Sequence, residues 1–225
     1  LRIRFSTSNP QDMSSDVIKT MSKYRNICNH IHLPVQSGSN KILKAMNRQH
    51  TREEYLGLIK EIKEIIPDCS ISQDIISGFP NETDKDHNLT LDLMNKVKYD
   101  FGYMFKYSER PGTLASKKFN DNISELTKKN RLQEIVDLQQ KHSNYRTKGY
   151  VGKIVEVLIE KESKKSRFQW SGRNQQNTVV VFDKENYQIG DFVNVLITDC
   201  TSATLIGNAV NYSKNSTNGI IYSNN

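Results

Sequence analysis

The chain has 225 residues, of which 36% are hydrophobic and 25% are charged, a composition typical of a folded globular protein. Its 32 lysines and arginines exceed its 25 aspartates and glutamates, and the net charge of +7 is compatible with a polyanionic partner without establishing one. No run approaches the roughly 18 apolar residues of a membrane span, and Cys28, Cys69 and Cys200 share no metal-ligand or disulfide spacing. These features argue against a membrane protein and a disulfide scaffold, and we expect a cytoplasmic protein.

The first 123 residues alternate strand-like and helical patterns. Strands are predicted at 3–7, 30–36, 69–77 and 101–107, and helices at 14–24, 39–46, from Thr51 onward and after Asn81. Thr51 and Glu54 have the spacing of a capping box, and we expect Asn81 to cap the helix that follows it. Four β/α units at such intervals indicate a parallel sheet or part of a barrel. Because the first strand begins at once, without an initiator methionine, we expect a piece of a longer protein.

The remainder of the chain has a different texture. A helix rich in lysine, arginine and glutamine is predicted at 124–150, and five short antiparallel strands follow at 151–210. Five strands in about sixty residues are typical of a small closed barrel of the OB-like kind. The last segment, 211–225, is rich in serine and asparagine, and we expect it to be disordered.

Polar residues cluster where the predicted parallel strands end. The clusters occupy residues 6–10, 36–39, 77–78 and 107–113. Ligand-binding groups gather at the carboxyl ends of the strands in β/α folds. These clusters are therefore the candidate functional residues.

Three motifs resemble one family of enzymes. HLPVQSGS at residues 32–39 with MNR at 46–48, DIISGFPNET at 74–83 and YSERPGT at 107–113 are similar in order and spacing to the radical S-adenosylmethionine methylthiotransferases. Residues 2–10, 171–177 and 179–182 resemble the branch that acts on tRNA, and the predicted small barrel resembles the TRAM module, which binds RNA. The resemblance covers about residues 1–210.

The resemblance implies a fold and an activity. The fold would be the second half of a partial TIM-like radical SAM barrel, about four β/α units in residues 1–123, followed by a linking helix and a five-stranded TRAM barrel. The activity would be methylthiolation, at the C2 carbon, of isopentenyl-adenosine beside the tRNA anticodon. Implied cofactors are S-adenosylmethionine and two [4Fe-4S] clusters, whose cysteine ligands this chain lacks. Implied partners are the tRNA anticodon stem-loop and an electron donor such as flavodoxin or ferredoxin, with the enzyme a monomer.

The same resemblance suggests residues that contact S-adenosylmethionine: Ser8, Gln36, Ser37, Asp74 and Gly78. Simpler explanations remain open for the same segments. Ser39 is expected to cap the short helix, and Gly38 and Gly78 could merely form a turn and end a strand. Alternation does not decide which face of the sheet Asp74 occupies. Arg4 could pair with Asp74, with a phosphate, or in a structural ion pair.

A second set of residues is suggested to bind RNA: Arg110, Lys161, Lys164, Lys165, Arg167 and Arg173. Phe168 and Trp170 alternate with the basic residues and are more simply explained as core of the small barrel. Arg110 could instead pair with Glu109. The five histidines have no common ligand spacing, so we predict no metal site, and we assign no catalytic residue.

Two other functions remain open. A sibling methylthiotransferase that acts on threonylcarbamoyl-adenosine or on a ribosomal protein aspartate would have the same two domains. A non-catalytic RNA-binding fragment would need neither cofactor.

Overall fold

The computed structural model describes residues 1–5 and 9–210. A parallel sheet covered by helices comes first, and a closed β-barrel follows it. The helices are α1 (Ser15–Lys23), α2 (Asn40–Ala45), α3 (Arg52–Ile65), α4 (Asp84–Val97), α5 (Leu114–Lys118) and α6 (Glu125–Lys148). The strands are β1 (His30–His32), β2 (Ser70–Ser77), β3 (Phe101–Lys106), β4 (Ile154–Glu162), β5 (Gln169–Arg173), β6 (Val179–Asp183), β7 (Phe192–Cys200) and β8 (Thr204–Ala209). None of the described helices is long and apolar enough to cross a membrane.

The sheet has the order β1-β2-β3, and all its strands run parallel. The strand predicted at 3–7 is reduced, within the described residues, to one isolated bridge between Ile3 and Ile27. The side chains of Arg2 and Arg4, on either side of Ile3, donate hydrogen bonds to the second domain. Residues 2–4 therefore contact the second domain, while residues 6 and 7 of the predicted strand lie outside the described residues. The predicted cap at Asn81 lies outside any helix, with a φ of 65°.

Helix α4 is capped instead by Thr83, the residue before its first turn. The Thr83 hydroxyl accepts a hydrogen bond from the Asp86 amide, and the Asp86 carboxylate accepts one from the Thr83 amide. This capping box satisfies two amides at the helix start, which a cap at Asn81 would leave without partners. The capping box predicted for Thr51 and Glu54 is confirmed.

The helices cover one face of the sheet. Ile31, Ile71 and Ile75 of this face are at most 1% exposed, and they pack in the same core as Tyr55 of α3. The Tyr99 hydroxyl donates to the Tyr55 hydroxyl at 3.0 Å, and the Tyr55 hydroxyl donates to the Leu33 carbonyl at 2.9 Å. Both phenols are fully buried, so this chain of hydrogen bonds provides polar partners inside an apolar core.

The second domain is a closed barrel with the order β4-β5-β6-β8-β7. Its strands are not all antiparallel, as the sequence predicted, because β6 and β8 pair in parallel. A ring with an odd number of strands cannot alternate direction throughout, so at least one neighbouring pair must run the same way. Val180, Val195 and Leu205 lie in its core and have no exposed surface.

Hydrogen bonds and charges join the two domains. Arg2 donates to the carbonyl oxygens of Arg173 at 2.6 Å and of Glu156 at 2.9 Å. The Arg4 side chain donates to the Asn174 carbonyl at 2.6 Å and lies 3.8 Å from the Glu160 carboxylate. Of the alternatives open for Arg4, the structure therefore shows an ion pair with the second domain, not a pairing with Asp74.

We predict that Tyr55→Phe destabilises the protein by about 1–2 kcal/mol, because the buried Tyr99 hydroxyl and Leu33 carbonyl both lose their partner. The free energy of unfolding in urea measures this. Tyr24→Phe is the matched control, since Tyr24 is 58% exposed. Equal stability of the Tyr55 variant and the control would contradict the role assigned to this hydrogen-bond chain.

Candidate cofactor and RNA site

The second face of the parallel sheet is polar and aromatic. Its side chains come from alternate positions of three strands: His30, His32, Ser72, Asp74, Phe101, Tyr103 and Phe105. The His32 Nδ1 atom lies 2.8 Å from the Ser72 hydroxyl, and its Nε2 atom lies 3.4 Å from the Asp74 carboxylate. The ring of Tyr103 meets the His32 ring edge to face, with centroids 6.1 Å apart. We call these seven residues the luminal face.

The contact with His32 decides the orientation of Asp74, which alternation alone left open. The Asp74 side chain is 26% exposed and shares the luminal face, while Ile75 beside it has no exposed surface and lies in the helix-covered core. Burial is the largest cause that lowers the pKa of His30, to about 4, and the nearby side chains of His32, Arg4 and Arg173 lower it further. His30 is therefore neutral at physiological pH.

The carboxyl ends of the three parallel strands, with the residues that directly follow them, form an edge that we call the rim. The predicted polar clusters after β1, β2 and β3 meet there. The Gln36 amide donates to the Asp74 carbonyl at 2.9 Å, and the Ile76 amide donates to the Gln36 carbonyl at 3.0 Å. The Tyr107 amide donates to the Ser77 carbonyl at 2.7 Å. Gln36 is 6% exposed and has a φ of 69°, a conformation that costs a non-glycine residue about 1–3 kcal/mol and often accompanies function.

Ser37 and Ser39 are occupied by contacts with α4. The Ser37 hydroxyl has no exposed surface and lies 3.4 Å from the Thr90 hydroxyl. Ser39 occupies the position before α2, but its side chain makes no capping bond and instead donates to the Asp86 carboxylate at 2.7 Å. The expected side-chain cap at Ser39 is therefore wrong, because the hydroxyl donates its hydrogen bond to the buried carboxylate of Asp86 and points away from the start of α2.

The glycines at the rim are needed for close packing. A Cβ atom at Gly38 would stand 2.4 Å from the Leu89 carbonyl oxygen of α4. Gly78 has a φ of 73°, and a Cβ atom there would stand 2.4 Å from the Cγ atom of Lys128 on α6. Its amide donates to the Glu82 carboxylate at 2.8 Å. Gly78 therefore does more than end a strand, because its backbone and its missing side chain both have specific partners.

The rim has some of the polar groups that would bind a nucleoside cofactor, but the described residues have no ligands for a metal cluster. The Ser77 hydroxyl is 1% exposed and has no hydrogen-bond partner among the described residues, so it is free to bind a polar ligand group. The Gln36 backbone is hydrogen-bonded to β2 at the same edge. Ser8, the remaining candidate, lies outside the described residues. Residues 1–5 and 9–210 contain no cluster of three histidine, cysteine or acidic side chains suited to a metal, so they do not fit an iron–sulfur cluster.

A cavity of about 730 Å³ lies at the opposite end of the strands. It is bordered by the amino ends of β2 and β3, the end of α6 and the second domain, with Lys63, Lys148, Asp68 and Asp100 in its wall. Mixed charges favour neither anions nor cations there.

The predicted RNA-binding residues form two groups. Lys161, Lys164, Lys165 and Arg167 are exposed in and beside the hairpin that joins β4 to β5, and we call this the basic hairpin. Arg173 lies at the other end of β5, roughly 13 Å away at 3.3 Å per residue. There its guanidinium lies 3.4 Å from the Glu160 carboxylate and donates to the Asn177 carbonyl at 2.9 Å. Arg110 is exposed in the loop after β3.

Phe168 and Trp170, the two aromatic residues that alternate with the basic ones, differ in their environment. Phe168 is 68% exposed beneath the Arg167 guanidinium, which lies 5.0 Å from its ring centroid. Its expected place in the core is therefore wrong, because the hairpin turn ends the alternation before β5 begins. Trp170, inside β5, packs against the barrel core as expected.

Sequence reasoning missed His32, Tyr103 and Phe105 of the luminal face. Tyr103 is 57% exposed and Phe105 is 53% exposed. Their signal was the two-residue alternation in three parallel strands, in which polar or aromatic residues alternate with buried aliphatic ones. Comparing the three strands side by side would have shown it.

Comparison with known proteins identifies both domains. Residues 1–94 match the Radical SAM superfamily, and residues 148–210 match the TRAM domain. The chain is 69% identical, over 96% of its length, to a protein of Christiangramia forsetii named tRNA-2-methylthio-N(6)-dimethylallyladenosine synthase. It is 65% identical, over 95% of its length, to a protein of that name from Flavobacterium johnsoniae. Over nearly its whole length, the chain is therefore similar to methylthiotransferases, with a Radical SAM match followed by a TRAM match.

The chain spans 45% and 44% of the length of these two relatives. Among solved structures, coproporphyrinogen III oxidase of Escherichia coli, described as a radical SAM enzyme, matches 74% of the chain with a TM-score of 0.52. The match covers 45% of that protein at 16% identity, so it supports the fold alone. The predicted fold class, a partial radical SAM barrel followed by an OB-like TRAM barrel, is confirmed.

We predict that acid stability depends on Asp86. Although burial raises the pKa of this carboxyl, hydrogen bonds from Thr83, Ser39 and Lys41 outweigh that effect and hold the pKa well below its usual range. A lowered folded-state pKa contributes stability that is complete above the unfolded pKa of about 3.9 and is lost as the pH falls below it. Asp86→Asn should therefore be less stable than the wild type at pH 6 and approach it toward pH 2.

Urea denaturation at several pH values measures this difference. Asp16→Asn is the control, since Asp16 is an exposed residue in the first turn of α1. Parallel stability curves for the Asp86 variant and the wild type across this range would refute the assignment.

Proposed function

We propose that the protein containing this chain methylthiolates dimethylallyl-adenosine, also called isopentenyl-adenosine, beside the anticodon of tRNA. The reaction would insert sulfur at the C2 carbon of the base and methylate it. The observation that carries the proposal is the name shared by relatives 69% and 65% identical over nearly the whole chain. The meeting of Gln36, Ser77 and Gly78 at one edge of the sheet supports a cofactor site there.

The contribution of this chain to that reaction would be to bind and orient. S-adenosylmethionine and iron–sulfur clusters, which radical SAM proteins use, would supply the radical chemistry when bound. The Gln36 amide and the Ser77 hydroxyl would hold polar groups of S-adenosylmethionine at the rim. Asp74, paired with His32, would present a carboxylate on the luminal face, next to the rim. The clusters would be ligated by residues that this chain does not contain.

The TRAM domain would dock the RNA. The exposed cations of the basic hairpin can neutralise phosphates, which adds affinity without reading sequence. Phe168 beside Arg167 offers an exposed aromatic ring on which an unpaired base can stack. Arg110 at the rim has a planar guanidinium suited to a phosphate. Arg173 is less available, because Glu160 and Asn177 already engage it.

The remaining expectations follow from the same proposal. We propose a division into a half-barrel at 1–123, a linking helix at 124–150, the TRAM domain at 151–210 and a tail at 211–225. A tRNA substrate places the enzyme in the cytoplasm, and a small redox protein such as flavodoxin or ferredoxin would deliver electrons to a monomeric enzyme.

Deleting the gene tests the substrate. We expect tRNA nucleosides of the deletion strain to lose the methylthio-dimethylallyl form and to accumulate dimethylallyl-adenosine, as measured by mass spectrometry. Complementation with the intact gene should restore the methylthio form. Loss of the methylthio group from threonylcarbamoyl-adenosine or from a ribosomal protein aspartate would show that a sibling activity is the correct one, and unchanged nucleosides and protein would contradict the whole proposal.

The basic hairpin gives a second test. Lys165→Ala combined with Arg167→Ala should weaken tRNA binding and reduce the slope of log affinity against log salt by about 0.7 to 0.9 for each phosphate that the variant no longer neutralises. Filter binding at several salt concentrations measures both effects. The matched control is Lys19→Ala with Lys23→Ala, which removes two cations from the surface of α1. If the hairpin variant keeps the wild-type slope, the RNA docks elsewhere.

A further inference from the structure

Two cations of α6 are buried against the rim. The Lys128 side chain is 1% exposed and the Arg131 side chain is 9% exposed, although both lie on a helix with a largely polar surface. Buried cations cost desolvation free energy, which close partners must offset. Their charged partners lie either between the end of β2 and the first residue of α4 or beside the start of α6.

Lys128 connects the ends of two strands. Its methylene groups fill the space that Gly78 leaves open, with its Cγ atom 2.4 Å from where a Cβ atom would stand. Its ammonium group lies 5.7 Å from the centroid of the Tyr107 ring, at the end of β3. The same ammonium group pairs with Asp121 and, at 2.9 Å, with Glu125. The side chain therefore passes between the end of β2 and the end of β3.

Arg131 acts through Glu82. Its Nη1 atom donates to the Glu82 carboxylate at 3.0 Å and to the Glu82 carbonyl at 3.1 Å, and its Nη2 atom donates to Asp84 at 2.6 Å. The Glu82 carboxylate, 2% exposed, also accepts the Gly78 amide at 2.8 Å. The position of the Gly78 backbone thus depends on the guanidinium of a helix 53 residues further along the chain.

These contacts have a function that simple packing would not need. An apolar side chain at position 128 or 131 would anchor α6 without desolvating a charge, and replacing a buried ion pair by apolar groups is often neutral or stabilising. An apolar group could not orient the Glu82 carboxylate toward the Gly78 amide. The charges therefore specify where the backbone lies at the rim.

We propose that Lys128 and Arg131 are positioning residues for S-adenosylmethionine: they hold the backbone at Gly78 and the ring of Tyr107 in the arrangement that the cofactor requires. Neither residue contacts the cofactor. The inference rests on the proposed function, because it assumes a cofactor at this rim.

Lys128→Met is the decisive variant, because it keeps the Cβ and Cγ methylene groups beside Gly78, is of similar length, and removes the ammonium group. Asp121 and Glu125, whose side chains are 24% and 66% exposed, can be hydrated once the ammonium group is gone, so the variant should fold. Arg131→Met alone would leave Glu82 buried without a cation. It is therefore combined with Glu82→Gln, so that no buried charge remains unpaired. The matched control is Lys129→Met, an exposed residue next to Lys128 on α6.

The measurements use the full-length, cluster-loaded enzyme under anaerobic conditions. Equilibrium dialysis with radiolabelled S-adenosylmethionine gives the cofactor Kd, filter binding gives the tRNA Kd, and the thermal midpoint reports the fold. We expect Lys128→Met and the double variant each to raise the cofactor Kd at least tenfold. The tRNA Kd should stay within twofold of wild type, and the thermal midpoint and the Lys129 control should be unchanged.

An unchanged cofactor Kd in both variants would overturn the inference. So would a loss of cofactor and tRNA affinity together with a lower thermal midpoint, which would indicate a structural role alone. If the wild-type enzyme bound tRNA but no S-adenosylmethionine, the proposed function would fail first and the inference with it. The wild-type result therefore separates failure of the function from failure of the inference.

Discussion

Parallel pairing of three strands is the constraint on which the site depends. Parallel strands end at the same edge of a sheet, so β1, β2 and β3 bring Gln36, Gly78 and Tyr107 together although about seventy residues separate the first from the last. In open α/β sheets, ligands bind outside the carboxyl ends of the strands, which makes this edge a candidate ligand site. The helices cover the other face of the sheet, so the luminal face remains available for polar and aromatic side chains.

Helix α6 connects the rim to the TRAM domain. Near its start it buries Lys128 and Arg131 against the loop after β2, and near its end Arg146 donates to the carbonyl oxygens of Val97 and Lys98 at the end of α4. The helix leads directly into β4. Together with Arg2 and Arg4, which bind backbone carbonyls of the second domain, it sets where the TRAM barrel lies relative to the sheet. The position of the TRAM barrel and the shape of the rim thus depend on one helix.

Local chemistry made some features predictable and left others ambiguous. The capping box at Thr51 could be predicted because its two residues lie three positions apart and need no distant partner. The cap of α4 was misplaced because Asn81 and Thr83 are both good caps, and only the reciprocal bond with Asp86 favours the second. Ser39 was misassigned for a related reason, since the carboxylate that accepts the hydrogen bond of its hydroxyl is 47 residues away.

The sequence by itself revealed a resemblance to the methylthiotransferases, through three motifs in a fixed order, and indicated the fold class, through two-residue and helical periodicities. Only the tertiary structure decided which face Asp74 occupies, what fills the space beside Gly78, and that Arg173 lies apart from the basic hairpin. The two-residue periodicity assigns the side chains of a strand to two faces. It does not show which face is buried when both carry polar residues. Contacts between His32 and Asp74 or between Gly78 and Lys128 join residues far apart in the chain, and no local pattern specifies them.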